Sequence, residues 1–315
     1  MRLEKLTECH LELLMNWLNE PHIKGVYDNG YTNIEDVRKK FLYSKDQRYI
    51  AYDNLKPVGY IHSYVFDQSS PFAHKNGKTL GIDLFIGDRD VMRKGCGSRM
   101  VFALLDQIQA DVERVVVEVD HLNLPSIQFF QKCGFLLLGK EKNLLFFAMN
   151  IRRAARALLW NVDKGFLLIE MVSTGHHYKE IDKRRGFTST QKEGKLPSFW
   201  VTPGGKIEVN ETLEEALIRE IWEEVGIREI QIGDMIAEEH KISVLDHFPT
   251  HIINYLFLVH TPDCIINTSF ATPYEQKNTL QTKWWSIEEF FLSKVETIPA
   301  NLAFALEALR VESFP

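Results

Sequence analysis

The amino-acid sequence predicts an α/β (α+β) protein built as two successive domains, 1–150 and 151–315, and three observations carry that expectation. At 315 residues the chain is longer than one ordinary hydrophobic core organises. Short apolar runs rich in β-branched residues alternate along it with segments of helical period. Charge divides unevenly: residues 1–150 balance 19 Lys and Arg against 19 Asp and Glu, whereas residues 151–315 hold 18 against 24, so the formal net charge of −6 belongs to the second part. No Pro/Gly/Ser-rich linker separates the two, because apolar Leu144 to Met149 runs directly into Ile151, Arg152 and Arg153.

The first part opens with a helical pattern over Glu8 to Leu18, followed by strands near Tyr49 to Asp53, Val58 to Tyr64 and Thr79 to Ile86. Arg93-Lys94-Gly95-Cys96-Gly97-Ser98 then opens a helix whose Val101, Leu104, Leu105 and Ile108 fall at helical spacing. Glycines before a helix let the backbone come close to a ligand, and the free N–H groups of the first turn attract an anion, so a pyrophosphate suits this place. The glycines alone would also fit a tight turn; the preceding strand and following amphipathic helix favour the anion cradle. Val115 to Val119 reads as a strand ending at Asp120, and Asn123 precedes a helix over Ser126 to Lys132. Gly134 is placed to terminate that helix before apolar Phe135 to Leu138.

In the second part, Ala154 to Trp160 and Gly165 to Met171 read as strands joined by the turn Asn161 to Lys164, and Phe199 to Thr202 leads into Pro203-Gly204-Gly205. The most specific segment follows, GKIEVNETLEEALIREIWEEVGI, from Gly205 to Ile227. Thr212 with Glu215 forms a capping box and Gly226 suits a left-handed helix end, so a helix is predicted from about Thr212 to Val225. Leu213, Leu217, Ile221 and Val225 give it a buried stripe, while Glu220, Glu223 and Glu224 crowd within one turn. Like charges so close repel unless a cation neutralises them, and hard oxygen ligands select Mg²⁺ or Mn²⁺. A merely solvated acidic helix would explain neither the glycines upstream nor the embedded Arg219. Between Thr174 and Ser198 a polar insertion carries Lys183, Arg184 and Arg185, equally suited to a solvated loop or a phosphate clamp.

Other classes are disfavoured. No basic stripe marks a nucleic-acid surface, and no apolar run reaches membrane-spanning length. Cys9, Cys96, Cys133 and Cys264 lack metal-ligand spacing and a chain of this size needs no disulfides, so a reducing, cytoplasmic setting is expected. Small-molecule substrates are the expected partners.

Gly205 to Ile227 resembles the Nudix box at every defining position. The resemblance implies an α/β/α sandwich that hydrolyses a nucleoside diphosphate linked to another group. It further implies that Glu220, Glu223 and Glu224 hold the metal, that Arg219 orients the glutamates, and that Gly204 and Gly205 shape the substrate loop. The general base stays open among Glu223, Glu238 and Glu239. The order of elements around Arg93 to Ser98 resembles the GNAT acyltransferases, a fold with a central mixed sheet. Within them, Trp17 to Ile23, Gly81-Ile82-Asp83 and Val119 to Asn123 are similar to aminoglycoside 6′-N-acetyltransferases. This resemblance implies that Arg93, Lys94, Gly95, Cys96, Gly97, Ser98 and Asn123 bind acetyl-CoA. Transfer to an amine needs a proton acceptor and carboxylates to draw in a cation, roles for Asp83 and Asp120. Asp120 fits a simple turn cap equally well. Many relatives carry a tyrosine where this chain has Phe130, and a phenyl ring cannot protonate a departing thiolate.

Overall fold

The computed structural model describes residues 1–109, 111–172, 181–182, 186–187, 198–245, 247–293 and 295–311. The chain forms two compact units, Met1–Asn150 and Ile151–Pro315. None of the described helices is long and apolar enough to cross a membrane.

The first unit is a mixed sheet with helices. Its strands are β1 (Arg2–Lys5), β2 (Gln47–Asp53), β3 (Lys56–Val65), β4 (Lys78–Ile86), β5 (Val112–Asp120), β6 (Leu136–Glu141) and the first residues of β7 (Leu144–Asn161). They lie in the order β1-β2-β3-β4-β5-β7, with β6 on the other side of β7. All neighbours are antiparallel except β4 and β5. That parallel pair stops at Gly81 opposite Val116, although β4 runs on to Ile86 and β5 to Asp120. The two strands therefore splay, and the opening lies at the ends that carry Asp83 and Glu118. Helices α1 (Leu11–Leu18) and α2 (Ile34–Phe41) pack Leu14, Leu18, Val37 and Phe41 into a core with Ile50, Tyr60 and Phe85. Helix α3 (Cys96–Gln107) follows β4 and buries Val101, Leu104 and Leu105 of the predicted stripe together with Met100, while Ile108 of that stripe is its C-cap. Helix α4 (Leu124–Lys132) follows β5 with Asn123 as its N-cap.

The second unit is layered helix, sheet, helix. Residues 151–161 of β7 and β8 (Gly165–Val172) form the predicted hairpin, closed at Asn161 opposite Gly165. Two short strands, β9 (Ile181–Asp182) and β10 (Gly186–Phe187), pair with each other. Next come β11 (Ser198–Val201) and β12 (Gly204–Lys206), the latter antiparallel to β7. Helix α5 (Leu213–Val225) is followed by a long hairpin, β13 (Gln231–Leu245) and β14 (Phe248–His260). Then follow α6 (Pro273–Asn278), β15 (Thr279–Trp285), α7 (Ile287–Ser293), β16 (Thr297–Ile298) and α8 (Leu302–Val311). Period-two alternation decides the layers: Ala155, Ala157 and Leu159 of β7 pack with Ala216, Leu217, Ile221 and Val225 of α5. Leu158 faces the opposite way and packs with Leu302, Ala305 and Leu306 of α8. Trp200 and Trp285 belong to that second core at right angles to each other, as core rather than ligand-stacking residues.

Candidate functional site

Among the described residues, each unit presents a concentration of chemically competent side chains. In the first, β4 leads through a turn to α3, whose N-cap is Gly95 at φ 77°, with Arg93 also in the left-handed region at φ 61°. No side chain caps this helix. Its first N–H groups are thus open to a ligand anion rather than satisfied internally. Arg93, Lys94 and Gly95 are exposed around that end, Cys96 and Gly97 are buried, and Ser98 is half-buried. Gly97 is required for packing, because a Cβ there would stand 2.9 Å from the Phe129 ring of α4. The Cys133 thiol donates to Ser98 Oγ at 3.4 Å, and burial pushes both Cys96 and Cys133 thiols up, which makes them inert packing groups.

Across the splayed strands, Asp83 pairs in register with His62, and Gly81 with Tyr64. Gly81 has a direct consequence: an added Cβ would fall 2.1 Å from Tyr64 Cζ, so only glycine lets that ring lie flat across the strand. Tyr64 Oη then donates to Glu118 Oε1 at 3.2 Å. Asp83 is reachable by solvent yet walled in by these neighbours. That desolvation, reinforced by the Glu118 charge and opposed by the Leu84 N–H, pushes its carboxyl up to about 7. His62 is held down to about 4, chiefly by burial and then by Arg48, so its ring is neutral near pH 7. Tyr27 Oη lies 3.5 Å from His62 Nδ1.

The remaining predicted residues of this unit have local duties. Asp120 is exposed and accepts the Leu122 N–H at 2.8 Å, closing a turn. Asn123 Oδ1 accepts the Ser126 N–H at 3.2 Å as the cap of α4. Phe130 is buried between Phe129 and Phe135 in edge-to-face contacts.

In the second unit the capping box of α5 is complete, with Thr212 Oγ1 accepting the Glu215 N–H and Glu215 Oε2 accepting the Thr212 N–H. Gly226 ends the helix at φ 70°. Glu220 and Glu224 are 7% and 9% exposed, one turn apart. The fold brings Glu275 of α6 to them, so that one oxygen from each of the three lies within 4.8 Å of the others. Burial, aggravated by Glu220, pushes Glu224 up to about 8, and burial also raises Glu220 against the pull of Arg219. Buried carboxylates converging at the cost of raised proton affinity form an oxygen-only donor set, which fits a hard divalent cation.

Glu223 stands outside that group, 38% exposed, bonded to Arg219 Nη1 at 3.2 Å. Arg219 is the hub: it also bonds Glu220 Oε1 at 2.7 Å, both oxygens of Glu211 at 2.7 and 2.8 Å, and the Lys206 carbonyl at 2.9 Å. Gly204 donates its N–H to Glu224 Oε2 at 2.7 Å, and a Cβ on Gly205 would lie 2.4 Å from Glu220 Oε1. Glu238 pairs with His240, whereas Glu239 is tied to Asn254 and to the Ala300 N–H. A cleft of about 560 Å³ opens beside Glu224 and Glu275, lined by amide and hydroxyl side chains including Asn267, Thr268 and Thr282.

Comparison with known proteins agrees with both readings. The acetyltransferase (GNAT) domain matches residues 7–142, and the NUDIX domain matches residues 150–305. The aminoglycoside N(6′)-acetyltransferase type 1 of Klebsiella pneumoniae is 30% identical over 145 residues, covering 42% of this chain and 72% of that protein. The chain belongs to the GNAT acetyltransferases through its first domain, and its second is a NUDIX domain. An 8-oxo-dGTP diphosphatase of Proteus vulgaris is 66% identical over 88 residues, covering 28% of this chain and 62% of that protein. A crystal structure of the aminoglycoside acetyltransferase AAC(6′)-Ib with coenzyme A is 25% identical, covering 47% of this chain and 93% of that one at a TM-score of 0.42.

Sequence reasoning missed three groups. In the GNAT domain these are Glu118 and Tyr64, which the strand register delivers to Asp83; period-two parity of Val116 and Glu118 was the available signal. In the Nudix domain it is Glu275, written as an ordinary capping box with Thr272. Lys183, Arg184 and Arg185 lie outside the described residues.

Proposed function

We propose that the chain is a bifunctional enzyme: an acetyl-CoA-dependent N-acetyltransferase for a cationic, aminoglycoside-like amine, and a Mg²⁺- or Mn²⁺-dependent hydrolase of a nucleoside diphosphate-linked substrate. The observation that carries the hydrolase is the convergence of Glu220, Glu224 and Glu275. A bound divalent metal would neutralise phosphate oxygens and acidify a water there. Glu220 and Glu224 are the ligands we assign, with Glu275 and Glu223 completing the acidic set. Arg219 orients Glu220 and Glu223, and Gly204 and Gly205 hold the loop against Glu224 and Glu220. Similarity to an 8-oxo-dGTP diphosphatase favours an oxidised purine nucleoside triphosphate as the first substrate to try.

For acetyl transfer, the open start of α3, with Arg93, Lys94 and Gly95 to Ser98, holds the cofactor pyrophosphate, and Asn123 contacts the cofactor further along. The amine nitrogen attacks the thioester carbonyl, the carbon–sulfur bond breaks, and the ammonium proton passes to Asp83. Solvent protonates the departing thiolate, because Phe130 offers no proton. Asp120 and Glu118 add negative charge that attracts the cationic acceptor.

Phe130 also supports a second reading, in which the GNAT half only binds a ligand and the Nudix half alone turns over. Mass spectrometry of products separates the two after incubation with Mg²⁺, a nucleotide panel, acetyl-CoA, aminoglycosides and polyamines. Acetylated amine is the expected result; nucleotide cleavage with no acetylation would select the second reading.

A further inference from the structure

Behind the carboxylates lies a charged network that the hydrolytic chemistry described above does not use. Arg156 of β7 sits opposite Gly204 in the ladder. Its Nη1 donates to the carbonyls of Thr202 at 3.0 Å and Gly204 at 3.1 Å. The Pro203 carbonyl between them accepts the Ala157 N–H at 2.7 Å. All three carbonyls of the Thr202-Pro203-Gly204 turn are therefore fixed from β7. Gly204 itself adopts φ 134°, and a Cβ there would lie 2.2 Å from the Ala155 carbonyl oxygen, so the turn is held flush against the strand. The N–H of this same Gly204 is the group that bonds Glu224 Oε2 at 2.7 Å.

The guanidinium is itself held. Its Nε donates to Asn254 Oδ1 at 3.1 Å, and Asn254 Nδ2 donates to Glu239 Oε2 at 2.7 Å. Asn254 is 1% exposed, and its amide orientation is dictated, because arginine only donates and an ionised glutamate only accepts. Glu239 Oε1 in turn accepts the Ala300 N–H at 2.8 Å. Residues of five elements are joined into one line that ends at a buried carboxylate: Glu239, Asn254, Arg156, the Thr202-Pro203-Gly204 turn and Glu224.

We propose that Arg156 is a positioning residue for the metal-binding site, setting Glu224 by clamping the carbonyls on either side of the Pro203–Gly204 peptide whose N–H bonds it, with Asn254 and Glu239 fixing the guanidinium. This rests on the hydrolase reading above. Outer partners that orient a ligand typically change metal affinity by about 10- to 100-fold when removed. Lysine cannot present two N–H donors to Thr202 and Gly204 while a third reaches Asn254, so it should restore only part of the effect.

The test is Mn²⁺ binding to the full-length protein without substrate, by calorimetry and electron paramagnetic resonance, for wild type, E224Q, R156M, R156K and N254A, with thermal melting beside it. The expected order of affinity is wild type, then N254A and R156K, then R156M about tenfold or more weaker. The Mg²⁺ concentration for half-maximal hydrolysis should rise in the same order while KM for nucleotide at saturating Mg²⁺ moves little. A folded R156M that binds Mn²⁺ like wild type overturns the proposal. If R156M does not fold, unaltered Mn²⁺ affinity in both R156K and N254A overturns it equally. Wild type that binds no Mn²⁺, or binds it unchanged in E224Q, removes the hydrolase reading and this inference together, a result distinct from failure of the arginine variants alone.

Discussion

Helices α3 and α5 begin in opposite ways, and the contrast locates chemistry in each domain. Helix α3 starts at a left-handed glycine with no side-chain cap, so its first N–H groups remain available to an anion from outside. Helix α5 starts with a full capping box that occupies the Thr212 and Glu215 N–H groups, and its functional groups lie further along as Glu220 and Glu224. The carboxylates differ in parallel. Asp83 is pushed up to about 7 as the sole carboxylate of its strand, with Glu118 across the opening, whereas Glu224, near 8, has Glu220 and Glu275 converging on it. A single perturbed carboxyl is suited to taking a proton; three converging ones are suited to a cation.

The strongest way to break this contrast is Glu224→Gln. Removing one charge from the converging set should cost several kcal/mol of barrier, roughly 10³-fold in hydrolysis, while acetylation is unchanged. Product assays of both reactions on one preparation check it. Equal hydrolysis by the variant would dissolve the distinction between the two carboxylate sites.

Asp83→Asn probes the other side. Acetyl transfer should fall about 10²-fold, the lower range for a general base, with hydrolysis intact. In wild type the rate should rise with pH and level off above about 7, since only ionised Asp83 accepts the proton, and the variant should lose that limb. The stability effect has the opposite sense. The folded value near 7 exceeds the ordinary 3.8, so ionisation disfavours folding, with no penalty well below pH 3.8 and the full penalty above 7. The variant's melting temperature should therefore gain on wild type as pH rises from 4 to 7 and keep a constant lead above. A variant that loses activity and is less stable at pH 8 would show that Asp83 serves the fold instead.

What could be read in advance divides along the same line between local and distant. The α5 helix, its cap and its terminator are set by residues within one or two turns, and the structure has them at Thr212, Glu215 and Gly226. The Arg93 to Ser98 turn into α3 was legible for the same reason. Glu275 was not, because it comes to Glu220 from more than fifty positions away on a separate helix, a tertiary contact that periodicity does not encode. The β13–β14 hairpin, and with it the Asn254 link between Arg156 and Glu239, was hidden likewise. Glu118 shares a strand with Asp120, but only the ladder through Val116 and Gly81 shows which of them Tyr64 can reach.

Gly205→Ala sharpens the comparison inside the Nudix domain. Its Cβ would meet the end of the Glu220 side chain at 2.4 Å, an obstacle that moves rather than a wall of backbone. The cost should fall on metal geometry more than on folding: about tenfold weaker Mn²⁺ binding, the lower range for a disturbed ligand, with little change in melting. A large drop in melting temperature with normal Mn²⁺ affinity would mean that Gly205 is needed for the strand pairing of β12 instead.

Thr212→Ala has the smallest expected effect and tests the capped start of α5 itself. It removes the hydroxyl that accepts the Glu215 N–H and leaves the Glu215 carboxylate on the Thr212 N–H, so one of two reciprocal bonds survives. Loss of such a cap costs about 1 kcal/mol. Chemical denaturation followed through the Nudix-domain tryptophans should show that loss, with Mn²⁺ affinity unchanged because Glu220 and Glu224 lie two to three turns downstream. Weaker Mn²⁺ binding from this substitution would mean that order at the helix start is transmitted to the carboxylates, and α5 would then resemble α3 in making its first turn part of the site.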